Sequence, residues 1–174
     1  MDALGECLQS IYSRYSLDDE LVDAVFLADL ADVRALLDRG ADPDTRDEDH
    51  RTPLMNATMD GERELVRVLL EAGADPNLRD ADQWTPLDVA VYRKSLDLIW
   101  LLLHFGADVN AQDDMGISVF TRALLAAHGS AEVVDLLQRW GARGDVAELP
   151  HAAARARALG ISLSLGNQLG VDQQ

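Results

Sequence analysis

The sequence predicts an all-α solenoid of about four helix-turn-helix repeats, with a capping helix at each end. Three observations predict it. The string AGADPNLRDADQWTPL at 72–87 nearly duplicates RGADPDTRDEDHRTPL at 39–54. Asp47, Asp80 and Asp113 recur at an interval of 33 residues, as do Gly40, Gly73 and Gly106. Each copy ends in an apolar run followed by glycine, for example Leu98, Ile99, Leu101, Leu102 and Leu103 before Gly106. A unit this short cannot bury its apolar face alone, so copies must stack and share a core.

Taken in chain order, residues 4–16 carry Leu4, Cys7, Leu8, Ile11, Tyr12 and Tyr15 at near-helical spacing. They predict an N-terminal capping helix, bounded as 1–13. Four repeats follow at approximately 14–46, 47–79, 80–112 and 113–146. Their first helices start at Thr52-Pro53 and Thr85-Pro86. The Thr hydroxyl can accept an orphan amide there, and Pro lacks only a donor that would be idle. Ser118-Val119-Phe120 holds this slot in the last copy, and Asp19-Glu20-Leu21 in the earliest, without Thr-Pro. Ala57, Ala90 and Ala123 keep the first helix thin where it meets its neighbours. The second helix is closed by Gly40, Gly73, Gly106 or Gly141, because the position after a helix often needs positive φ. The interval from Ala123 to Gly141 is two residues longer than its counterpart, and the extra length is placed near AAHGS. Residues 147–174 are expected to hold a C-terminal capping helix in HAAARARAL, stopped by Gly160, and a fraying tail.

With these motifs in hand, the chain resembles the ankyrin-repeat family over roughly residues 14–146. Thr52-Pro53-Leu54, Thr85-Pro86-Leu87, Gly73-Ala74-Asp75-Pro76-Asn77 and Gly106-Ala107-Asp108-Val109-Asn110 carry the resemblance. The family histidine after Thr-Pro-Leu is replaced by Met55, Asp88 and Thr121. That departure removes the side chain which, in the family, ties neighbouring turns together, so an array of moderate stability is expected.

Composition sets bounds. One extended core accounts for 174 residues at 48% hydrophobic content. A net charge of −16 disfavours nucleic acid, whose phosphates are recognised by dense Lys and Arg, and points to a basic protein partner. The run Asp42, Asp44, Asp47, Glu48 and Asp49 is crowded at one turn. Cys7 is the single cysteine, which excludes an internal disulfide and suits a reducing compartment. The opening is no secretory signal and no stretch reaches the length of a membrane span, so a cytoplasmic protein is expected. Lys94 is the one lysine among fifteen basic residues, the composition of a GC-rich, bacterial-type genome.

No catalytic constellation is legible. His50, His104, His128 and His151 are scattered in the repeat register, and one cysteine gives no zinc spacing. Asp42-x-Asp44, Asp47-x-Asp49 and Asp80-x-Asp82 lack the turn glycine and closing glutamate of a calcium loop, and read as solvated turns. The expectation is no metal, no cofactor and no enzyme.

The resemblance implies partner binding through turn tips and the exposed side of each first helix, on a concave surface. Carried over by register, the partner-binding positions are Phe26; Glu48, Asp49, Arg51, Met59 and Asp60; Asp82, Trp84, Tyr92 and Arg93, with Ala81; and Asp114, Met115, Ile117 and Leu125. Two roles fit Trp84, an interface anchor or cover for the neighbouring turn, and scarcity of aromatics at 5% favours the anchor. Trp100 falls on the outward side of a second helix in register with Arg67, where contact with another chain and cover by the chain ends both remain open. Phe105 and Trp140 are expected to pack.

These readings converge on a non-enzymatic protein-interaction module that captures one basic partner, most simply an immunity or inhibitor protein against a toxin or nuclease; a monomer is favoured, with the oligomeric state left open. The rivals are an adaptor bridging two proteins, and a chaperone-like accessory stabilising an enzyme.

Overall fold

The computed structural model describes residues 16–125 and 130–143. The expected capping helices at 1–13 and 147–174, and Cys7, lie outside them. The chain forms two compact units, residues 1–108 and 109–174. The first holds α1 (Leu17–Phe26), α2 (Leu30–Asp38), α3 (Pro53–Asp60), α4 (Arg63–Glu71), α5 (Pro86–Arg93) and α6 (Leu96–His104). The second holds α7 (Val119–Leu125) and α8 (Ala131–Arg139). The fold is an all-α helix-turn-helix repeat of the solenoid type. In the first unit, first helices stack as α1 on α3 on α5, and second helices as α2 on α4 on α6. In the second, α7 pairs with α8, and an isolated antiparallel bridge joins Gln112 to Ser118. The interval assigned the two extra residues runs from the end of α7 to Ala131; its 126–129 are not described.

Local chemistry sets the helix ends. The buried Thr52 and Thr85 are N-caps, their hydroxyls accepting the Met55 and Asp88 amides, each at 3.3 Å. Asp88 completes a capping box by accepting the Thr85 amide at 3.0 Å, so this replacement of the family histidine tightens its own helix start. Ser118 accepts the Thr121 amide at 3.1 Å in the same way. The earliest helix differs: α1 begins before the Asp19 slot because Ser16 and Asp19 form a capping box one turn upstream. At the other end of each pair, Gly73 sits at φ 98° while the Ala74 amide reaches back to the Leu69 carbonyl at 3.0 Å. This Schellman pattern recurs after α2, α6 and α8.

Packing supplies most of the stability. Leu21, Leu54, Leu69, Leu87, Leu98 and Leu102 are fully buried in the first unit, and Leu124 and Leu137 in the second. Each such side chain contributes about 1.5–3 kcal/mol on burial. Ala57 and Ala90 have no exposed surface, which lets α3 and α5 stack closely. Neighbouring repeats are tied by acidic and amide side chains. Asp44 accepts the Asp75 amide at 2.8 Å and Asn77 the Asp108 amide at 2.7 Å, while within the earliest repeat Asp18 accepts the Asp42 amide at 2.8 Å. Within the second unit, Asn110 accepts the Arg143 amide at 2.7 Å. Loop amides that follow the second helices of the later repeats thus find partners one repeat away.

Candidate functional site: finger turns and an apolar row

Each repeat projects a finger turn organised by its recurring aspartate. Asp47 Oδ1 accepts the amides of Asp49 and Arg51 at 2.9 and 2.8 Å, and Asp80 Oδ1 those of Asp82 and Trp84 at 3.0 and 2.9 Å. In the second unit Asp113 Oδ1 accepts those of Met115 and Ile117, each at 2.9 Å. One carboxylate oxygen therefore fixes both sides of the turn, which presents its tip rigidly.

The other oxygen reaches the following helix. Asp47 Oδ2 accepts from Asn56 at 2.8 Å, and Asp113 Oδ2 from Arg122 at 2.8 Å. Burial pushes the Asp113 carboxyl upward, but the Ile117 and Met115 amides and the Arg122 guanidinium outweigh it and hold it below the usual carboxylate range. Asp80 Oδ2 lies 4.0 Å from Arg51 Nε, a buried N–H without another partner.

The reading of these aspartates as solvated turns needs correction. Asp80 is buried and Asp47 half-buried, because their carboxylates replace water as acceptors for turn amides. The acidic run is thinned likewise. Asp42 holds the Asp44 amide and Asp44 the Asp75 amide, which leaves Glu48 and Asp49 as the members making no backbone bond. Among the described residues no group of three or more His, Cys, Asp or Glu is placed to hold a metal ion.

On the helices, Phe26, Met59 and Tyr92 take the same place on α1, α3 and α5, which stack in that order. Phe26 is 79% and Tyr92 67% exposed, with Met59 half-buried between them. Trp84, half-buried where its finger turn closes back on Asp80, meets Tyr92 edge to face at 5.6 Å. Asp60 and Asp82 are exposed, and Asp49 shares its carboxylate with Arg51 at 3.2 Å. Arg93 donates to the Asp60 carbonyl at 3.4 Å and lies over Gly61, a cation at the C-terminal end of α3. Arg51 and Arg93 are thus held by the array itself.

Sequence reasoning missed Leu27, 74% exposed and next to Phe26. The register could have found it, since Leu27 occupies the slot of Asp60 and Arg93 one and two repeats earlier. Asp114, Met115, Ile117 and Leu125 belong to the second unit, where Asp114 and Met115 are exposed, Met115 at 80%, Ile117 is half-buried and Leu125 is 40% exposed. Phe105 and Trp140, expected to pack, keep 37% and 39% of their surface exposed.

Compared with known families, residues 21–113, more than half of the chain, match the ankyrin-repeat model in three copies. No curated protein matches the chain.

Proposed function

Because the chain belongs to the ankyrin-repeat family and is therefore a protein–protein interaction module, we propose that it captures one basic partner protein and blocks it, as an immunity or inhibitor protein does. The observation that carries the reading is the exposed Phe26–Met59–Tyr92 row, with Trp84 edge-on to its end and Asp60 and Asp82 exposed on the same unit. Aromatic anchors among acidic groups suit a surface that offers an apolar patch ringed by Arg and Lys. The net charge of −16 adds long-range steering of a basic partner, speeding association more than deepening affinity.

In this reading the protein works in the cytoplasm without cofactor, metal or chemistry of its own, and occlusion is the whole mechanism. Among the described residues no helix is long and apolar enough to cross a membrane. The test is protection: cells expressing a basic toxin encoded beside this gene survive when the chain is co-expressed. Tyr92→Ala and Asp82→Lys should each lower partner affinity at least tenfold while leaving the helical circular dichroism unchanged. Full protection by both variants would remove the row from the interface, and a partner that stays active in the complex would rule out inhibition.

A further inference from the structure

The solvent face of α6 differs from those of the second helices stacked before it. On α4, Arg63, Glu64 and Glu71 are exposed, and Arg67 bridges Glu64 and Glu71 at 2.8 and 2.7 Å. On α2, Asp32, Arg34 and Asp38 are exposed. On α6 the exposed residues are Leu96 at 38%, Asp97, Trp100 at 45% and His104, whose ring lies flat on Trp100 with centroids 5.0 Å apart and planes 8° apart. Phe105 also meets the His104 ring, edge-on at 5.8 Å.

The order of these residues is self-complementary. At about 100° per residue, Leu96, Trp100 and His104 fall within about 80° of helix surface, and Asp97 lies on the His104 flank. Asp97 stands three residues before Trp100 and His104 four after, about 4.5 and 6 Å along the axis. If a second α6 packs antiparallel with its twofold axis beside Trp100, the operation keeps each flank on its own side while reversing direction. Each Asp97 then comes opposite the other copy's His104, twice, with the two indoles between them.

We propose that this face is where two copies of the chain pair, through an isologous α6–α6 contact centred on Trp100 and closed by two Asp97–His104 contacts. Charge argues for this occupant. Two copies each carrying −16 repel wherever carboxylates gather, and α6 offers one carboxylate with an imidazole placed to receive it. A single helix face covers less than the roughly 800 Å² per partner of a standard interface, so weak and reversible pairing is expected.

Sedimentation equilibrium of the whole chain from 5 to 500 µM tests it, and the proposal expects a monomer–dimer equilibrium. Trp100→Glu should leave a monomer across that range with unchanged helical circular dichroism. Asp97→Lys and His104→Asp should each weaken pairing at least fivefold, while the double variant Asp97→Lys/His104→Asp restores it. A wild-type chain that stays monomeric throughout overturns the proposal. So does a dimer that Trp100→Glu leaves intact, or charge variants that fail to rescue each other. The pairing does not rest on the Trp84 face, and Trp100→Glu should retain partner capture.

Discussion

Trp84 and Tyr92 meet edge to face, their ring centroids 5.6 Å apart and their planes inclined at 67°. The contact joins the closing residue of a finger turn to the exposed side of α5. Truncating either ring removes an aromatic pair worth about 0.5–1.5 kcal/mol beyond its buried area. Trp84→Ala should therefore lower the urea midpoint modestly, because the indole is half-buried. Tyr92→Ala, at an exposed position, should change stability less but weaken partner binding by about 2 kcal/mol or more if the row is an anchor. Calorimetric titration beside a urea melt of each variant separates the two effects.

The side-chain ladder between repeats should carry measurable stability. Asn77 accepts the Asp108 amide at 2.7 Å and donates to the Gly106 carbonyl at 3.1 Å. Asn77→Ala removes both bonds, and the variant should be less stable by about 1–2 kcal/mol in chemical denaturation. Equal midpoints for the variant and the wild type would show that water replaces the ladder at no cost.

Acid should unfold the finger of the second unit through Asp113. Its folded carboxyl is held below the ordinary value, so its contribution is complete above the unfolded value of about 3.9 and is lost as pH falls through the folded value. Asp113→Asn should destabilise the protein at pH 7 and flatten the fall in stability from about pH 4 downwards. Urea melts from pH 7 to 3 provide the check. A parallel pH profile for the two proteins would exclude Asp113 as the titrating group.

Two finger tips carry backbone strain. His50 and Gln83 sit at φ 59° and 63°, the place Gly116 occupies at φ 73° in the second unit. Left-handed backbone crowds a Cβ, so Gln83→Gly should raise stability by about 0.5–1 kcal/mol, offset in part by the freer unfolded chain. Gly116→Ala should do the reverse. Thermal melts of the two variants should shift in opposite directions.

Much of the fold was legible because its signals are local. A Thr-Pro start and a glycine stop act within a few residues, and burial of Leu54, Leu87 and Leu98 follows from the helical spacing of apolar positions. Of the candidate site, the exposed slots were legible: Phe26, Tyr92 and Met115 are exposed where the register puts them. Their neighbours were less so. Nothing near Arg93 in the chain announces that it reaches the Asp60 carbonyl, and nothing near Asp80 announces that it is buried under its own turn.

The sequence by itself determined the 33-residue period, the Thr-Pro helix starts, the glycine stops of the second helices and the apolar runs, because each depends on contacts or dihedral angles inside one repeat. Tertiary structure alone decided which carboxylates face solvent and which hold a backbone amide, as Asp44 holds Asp75 across 31 positions. It also decided that Asp, Asn and Arg side chains tie one repeat to the next. Such pairings form only once stacking brings distant residues together, so a side chain's freedom to meet a partner is fixed by its neighbour in space rather than by its neighbour in the chain.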